Sequence, residues 1–530
     1  MHGELVLLGV LIGAGIFLLA AERTGVPYPI LLTAGGTALA FLPGVGDFEL
    51  SPEVILVAFL PPLLYSAAFF SSLQDLRANA QPIGLLAVGL VIATTLVVAA
   101  VAHAAIDGLP WPAAFVLGAI VSPTDPVAAT EIAVRSRAPR RLVTIVEGES
   151  LINDSTGLIA YKFAIAAVLS GTFSLAEAAG DFVLSAAGGI AIGLAVGWVI
   201  AIIRRRLDDA PTEVAVSLLT PYVAYLPAEA LGVSAVLAAV TSGLYLGWRS
   251  PDLVTPSTRI QTVGFWELLV FALNAALFVL IGLQLRHVVD GLDGFSAGQL
   301  AGWSALVIAA VMVTRMAWML VFNTIDSRLL QRRRLDREDP PPTGLAVLLG
   351  WSGMRGAVSL AAALAIPLQT DTGAPFPERD LVIFLVYAVI LATVLGQGLT
   401  LSRLIEAVGI YDDEETTAEQ EARARIAAAN AAIARLDELE AEDWVREDTH
   451  RRMRALYDYR IRRFESRLDE DDDGDIEQGS QAYQQLRRKV LEAERAEIIR
   501  QRNRGAITDD IMRRIERDLD LEDARLEIGR

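Results

Sequence analysis

Four carboxylates in two short stretches of an apolar chain hold the residue types best suited to chemistry. The segment Glu147-Gly-Glu149-Ser150-Leu-Ile-Asn153-Asp154-Ser155-Thr156 carries three of them within eight residues. At helical spacing Glu147, Ser150 and Asp154 share one face, while Glu149, Asn153 and Thr156 share the next. The fourth lies in Ser122-Pro123-Thr124-Asp125-Pro126. Pro126 has no N–H for the Ser122 carbonyl, and Pro123 does the same to Ala119, so a helix through this segment is expected to break and free carbonyls. Asp125, which precedes a proline, is pushed toward extended geometry. Carboxylate, hydroxyl and freed carbonyl oxygens together suit a hard monovalent cation, and a carboxylate also takes a proton. Asp154 and Asp125 are the expected binding carboxylates, with Thr124 and Ser150 beside them. Glu147 and Glu149 serve equally well as hydrogen-bonded supports.

A third stretch, Gly350-Trp351-Ser352-Gly353-Met354-Arg355-Gly356, sets three glycines around an arginine and is expected to weaken its helix too. Arg355 is expected to offset the acidic excess of the first two stretches. Two more cations, Lys162 and Arg315, also fall inside apolar runs. For these, pairing or snorkelling toward a helix end is the expected role.

The elements that must position these residues follow from composition. The chain has 530 residues, 53% hydrophobic, with a mean hydropathy of +0.44 and a formal charge of −18. From Tyr411 onward 56 of 120 residues are charged; the first 410 hold the other 52. A single soluble enzyme, a disulfide-stapled domain (there is no Cys) and a nucleic-acid binder are excluded. A spanning helix needs about 20 mostly apolar residues. Thirteen stretches qualify: 4–21, 27–42, 52–70, 82–104, 111–133, 142–168, 180–203, 212–229, 233–248, 262–285, 299–325, 343–368 and 381–403. Seventeen of the 22 basic residues before 411 fall in alternate connections, among them the Arg135/Arg137/Arg140/Arg141 cluster. The positive-inside rule makes those connections cytoplasmic, which puts the N-terminus outside and the charged tail inside. The expected fold is therefore an all-α polytopic membrane protein, with a transmembrane domain over 1–410 and a helical cytoplasmic domain over 411–530. The two interrupted stretches are the fifth and twelfth, seven apart, as inverted repeats with matching discontinuous helices would place them.

The paired Pro61-Pro62, Thr124-Asp125-Pro126, the Glu147–Asp154 segment and Arg355-Gly356-Ala357-Val358 together resemble the monovalent cation/proton antiporters related to sodium/hydrogen exchangers, of the prokaryotic NhaP type. The likeness covers roughly residues 5–405. It implies a thirteen-span homodimer in a prokaryotic plasma membrane, with dimerisation and core subdomains and elevator-like alternating access. It makes Asp154 the carboxylate that takes either cation or proton. Asp125, the Thr124 carbonyl and Ser150 complete the site, Asn153 ties the crossed helices, and Arg355 meets core acidic residues. Many relatives carry an acid shortly after the paired prolines, where this chain has Leu63-Leu64-Tyr65-Ser66. Asn153 stands where electrogenic relatives carry a second aspartate. One titrating carboxylate in that pair implies 1:1 electroneutral exchange of Na⁺, or Li⁺ or K⁺, for H⁺.

No His/Cys metal set or phosphate-binding glycine loop appears, so neither enzyme chemistry nor a resident cofactor is expected. A cation channel is the rival, because polar broken helices also build pores. Gly44-x-Gly46-Asp47 matches an intramembrane aspartyl-protease tetrapeptide but has no Tyr-Asp partner. In the tail, Met453, Tyr457, Ile461, Phe464 and Leu468 form an apolar helical stripe, and Thr508 before Asp509 reads as an N-cap. Asp469 to Ser480 approaches a calcium-binding loop, but Ser480 stands where a bidentate Glu is needed, which favours a solvated acidic linker.

Overall fold

In the computed structural model, helices are the only regular elements among the described residues, which are 13, 15–41, 55–171, 175–207, 209–290, 292, 294–330, 343–411, 414–469 and 475–528. They form two compact units, Met1–Asp412 and Asp413–Arg530. Gly9, the Gly44–Asp47 tetrapeptide, all of the arginine-rich 331–342 connection and residues 470–474 lie outside the described set.

In the first unit, each of the thirteen apolar stretches is helical over most of its described length. Among the described residues, five helices are long and apolar enough to cross a bilayer: Ala80–Ala105, Ala179–Arg204, Thr258–Leu283, Ala297–Phe322 and Arg379–Val408. The others are shorter, interrupted or richer in charge; Arg140–Ser170, for example, carries Glu147, Glu149, Asp154 and Lys162. Local signals set several of the ends. Asp209, Ser234 and Thr255 each accept a backbone N–H two or three residues into the helix that follows, satisfying a donor that would otherwise be orphaned. The Arg140–Ser170 helix stops at Gly171, whose φ of 70° is the left-handed geometry that glycine adopts without a Cβ penalty.

Two stretches are interrupted where the prolines and glycines predict. Trp111–Val121 and Val127–Arg135 flank the break at Ser122–Pro126; Thr343–Trp351 and Ala357–Leu364 flank the break at Ser352–Gly356. The two breaks meet: the Asp125 N–H donates to the Met354 carbonyl at 2.8 Å. The Ser359 hydroxyl donates to the Ile120 carbonyl, also at 2.8 Å, which satisfies an acceptor freed by the first break. Around them Val116, Leu117, Ile120, Leu348 and Leu360 are buried in one large apolar cluster. A different pair, Tyr28–Ala40 and Pro256–Leu283, packs backbone to backbone where Gly36 meets Val279 and Gly282; a side chain on either glycine would collide.

In the second unit, helices Glu414–Leu439, Glu447–Ser466, Asp475–Asn503 and Asp509–Ile528 follow one another. The Thr508 hydroxyl accepts from Ile511 N–H, as an N-cap does. Phe464 is buried and Tyr457, Ile461 and Leu468 are half-buried along the expected stripe, but Met453 at its start is exposed.

Candidate cation site at the crossing of two broken helices

At the first break, the Asp125 carboxylate accepts from the N–H of Val127 at 3.0 Å and from that of Ala357. Val127 and Ala357 each open a half-helix, so two positive helix N-termini converge on one carboxylate. Gly356 makes this possible, because a Cβ there would overlap the Asp125 carboxylate. The Thr124 hydroxyl donates to Glu149 Oε1 at 3.2 Å and accepts from Asn153 Nδ2 at 2.8 Å. Asn153 thus fastens the broken segment to the unbroken Arg140–Ser170 helix.

Glu149 is held by Arg315 through two parallel bonds of 2.5 and 2.8 Å, and Arg315 Nε donates to the Leu349 carbonyl at 3.1 Å. Both side chains are buried, at 2% exposure each. The bidentate geometry is the one a guanidinium fork is built for. Gly353 leaves the space that Arg315 crosses, since a Cβ there would strike its side chain. Of the two roles expected for Arg315, it takes pairing and does not snorkel to a helix end. Arg355, expected to meet the acidic residues, acts on Glu149 through space only: none of its guanidinium nitrogens has a hydrogen-bond acceptor among the described residues, although it is 1% exposed. Only its backbone N–H is tied, to Thr393 Oγ1 at 3.0 Å. The reason is geometric. The Ala297–Leu330 helix runs beside the second break, with Met316 against Gly350, and so brings Arg315 to Glu149.

The other face of the Arg140–Ser170 helix opens into a cavity of about 800 Å³ lined by Glu147, Ser150 and Asp154, together with Thr124 and Asp125. Neither the Asp154 carboxylate nor the Ser150 hydroxyl has a hydrogen-bond partner among the described residues, although both residues are buried. An unpaired acidic oxygen set of this kind can hold a monovalent cation or a proton. Three lining residues escaped the sequence reading. Glu131 pairs with Arg135 at 2.7 Å and accepts from the Tyr28 N–H; Tyr28 and Asn274 line the cavity from two further helices. Only the placement of polar residues within apolar runs signalled them. Ser66, shortly after the paired prolines, also lines the cavity and gives its hydroxyl proton to the Leu63 carbonyl.

In the second unit, the described part of the Asp469–Ser480 stretch is helical from Asp475. Glu477 is gripped by Arg463 at 2.8 and 2.9 Å and by Arg467, and Ser480 is buried. The Arg463 guanidinium, followed by Arg467, holds the Glu477 carboxyl down at about 2. Glu477, Arg463 and Arg467 are thus engaged with one another.

Residues 7–407 match the family described as "Sodium/hydrogen exchanger, transmembrane". An uncharacterised Na⁺/H⁺ exchanger of Mycobacterium bovis is 34% identical across 99% of this chain and 96% of its own length. The sodium, potassium, lithium and rubidium/H⁺ antiporter of Bacillus subtilis is 36% identical across 72% of this chain and 58% of its own. Among solved structures, the sodium proton antiporter MjNhaP1 from Methanocaldococcus jannaschii superposes with a TM-score of 0.60, covering 77% of this chain and 96% of that one at 19% identity, a likeness of fold. With both broken helices and the acidic segment inside the matched span, the chain belongs to the transmembrane sodium/hydrogen exchanger family.

Proposed function

We propose that the protein exchanges Na⁺, or Li⁺ or K⁺, for H⁺ across a prokaryotic plasma membrane and so serves pH homeostasis. The observation that carries this reading is the unpaired Asp154 carboxylate facing the cavity next to Asp125 and Thr124, while its neighbours Glu149 and Asn153 are already bonded. Asp154 binds either the cation or the proton, never both, and this competition couples the two fluxes. Asp125, Ser150 and the Thr124 carbonyl supply the remaining ligands. With Asn153 unable to titrate, one charge goes each way, and exchange is 1:1 and electroneutral.

The proposal extends to the whole molecule: thirteen spans in inverted repeats, a homodimer, and an elevator-like movement of the part carrying the crossing. The N-terminus lies outside and the tail in the cytoplasm, as the arginine-rich connections suggest. The name of the Bacillus subtilis relative supports a broad choice of cation.

The test uses purified protein in liposomes loaded with a pH-sensitive dye. Na⁺, Li⁺ and K⁺ gradients are applied in turn, and the membrane voltage is then clamped with potassium and valinomycin. Proton movement that depends on a cation gradient and ignores voltage is expected. A steady cation flux without counter-movement of protons would instead make the protein a channel, and a rate that follows voltage would refute the single-carboxylate coupling.

A further inference from the structure

Besides the two breaks and the Arg140–Ser170 helix, the cavity is lined from helices Tyr28–Ala40, Leu60–Phe70 and Pro256–Leu283, and this part of the wall is mostly apolar. Asn274 stands in it. The residue is 6% exposed, lines the cavity, and its amide makes no hydrogen bond to any described residue. Its surroundings offer it nothing. Phe271 and Phe278, one turn to either side, both pack against the Tyr28 ring at 5.1 and 6.5 Å between centroids. A primary amide in an aromatic wall without a partner is unfavourable unless something polar faces it. Two turns away on the same helix face, Glu267 lines the cavity and is exposed. The polar face of this helix therefore runs from an exposed carboxylate to a buried amide. On the same wall, the Ser66 hydroxyl proton is spent on its own helix.

We propose that Asn274 is a cation-positioning and specificity-determining residue: its amide oxygen replaces one water of the incoming cation's shell, from a helix other than the one that carries Asp154. This deepens the antiport reading and rests on it for the identity of the cargo. A neutral amide oxygen suits this place, because it removes water from the cation without competing for the proton that Asp154 must take. Glu267 meets the cation first, and Asn274 presents it to the acidic side. Since dehydration costs more for a small ion than for a large one, losing this oxygen penalises Na⁺ and Li⁺ more than K⁺.

The experiment measures binding and transport separately on the full chain. In detergent, thermal stabilisation is titrated with Na⁺, Li⁺ and K⁺ for the wild type, Asn274→Leu and Asn274→Asp. In liposomes, the half-saturating cation concentration and maximal rate are measured for the same three proteins. For Asn274→Leu the half-saturating Na⁺ concentration should rise roughly fivefold in both assays, with the K⁺ value and the maximal rate nearly unchanged. Asn274→Asp, which keeps an oxygen at the position, should retain or tighten Na⁺ binding. A purely structural amide would give the reverse order, with the buried charge of Asp more damaging than Leu and all cations affected alike; that result overturns the proposal. So does an Asn274→Leu protein with unchanged Na⁺ dependence, or a wild type that no cation stabilises. A wild type that Na⁺ stabilises but that moves no protons sinks the exchange reading alone, and the binding titration still decides the role of Asn274.

Discussion

The two breaks, Ser122–Pro126 and Ser352–Gly356, interrupt their helices beside one another by opposite means. Prolines break the first by removing donors, and the segment gives out functional groups: the Asp125 carboxylate and the Thr124 hydroxyl. Glycines mark the second, and its contribution is mostly space: Gly353 admits the Arg315 side chain and Gly356 admits the Asp125 carboxylate. The charged groups at the crossing thus owe their positions to side chains missing from the other partner. A proline break is fixed locally, whereas a glycine break is defined by what enters it. This explains why the one charge native to the glycine break, Arg355, is not the one hydrogen-bonded to an acid there.

Five substitutions separate the two kinds of contribution, and the largest effect belongs to neither break. Asp154→Ala removes the unpaired carboxylate beside Asp125 on the unbroken helix and should abolish exchange while leaving the fold intact. Wild-type dye recovery by the mutant liposomes would take Asp154 out of the mechanism. Next comes Arg315→Ala, which strands buried Glu149 and should lower thermal stability by about 3–5 kcal/mol. Arg355→Ala breaks no hydrogen bond to an acid and should cost far less; equal losses in the two melting curves would show that Arg355 compensates acidic charge as much as Arg315 does. Gly356→Ala forces a methyl group into the Asp125 carboxylate and should cost about 1–3 kcal/mol. It should also raise half-saturating Na⁺ roughly tenfold, more than Gly350→Ala, whose neighbour is the adaptable Met316 side chain. An unaltered Na⁺ dependence in Gly356→Ala would mean that the carboxylate position does not matter to the site.

The sequence made the covalent and local features legible. Prolines and glycines forecast both breaks, apolar run length forecast the helices, and spacing alone put Glu147, Ser150 and Asp154 on the face that lines the cavity. What it did not carry was pairing across distance. Arg315 and Glu149 are 166 residues apart, and nothing in either run says which arginine reaches Glu149; that depends on how the Ala297–Leu330 helix lies against Gly350 and Gly353. Asn274 stayed hidden for a similar reason. One amide within an apolar helix has no meaning until the cavity it lines is known.

The smallest effect comes from the tail, where the same guanidinium–carboxylate chemistry operates without a membrane around it. Glu477 is held by Arg463 and Arg467 but keeps 25% of its side chain exposed, so water screens much of the attraction. Its carboxyl lies at about 2 in the folded chain against an ordinary 4.5, a depressed value. The stabilisation it gives is therefore fully present above pH 4.5 and is lost as pH falls toward 2. Glu477→Gln should weaken protection of Arg463–Leu468 by about 0.5 kcal/mol at neutral pH. Amide hydrogen exchange on the full chain, corrected for intrinsic rates, reads this directly. The gap between wild type and variant should shrink below pH 4.5 and also with added salt. Were it instead to persist undiminished at pH 3, or to approach the loss seen for Arg315→Ala, burial would not be what separates the membrane ion pair from its counterpart in the tail.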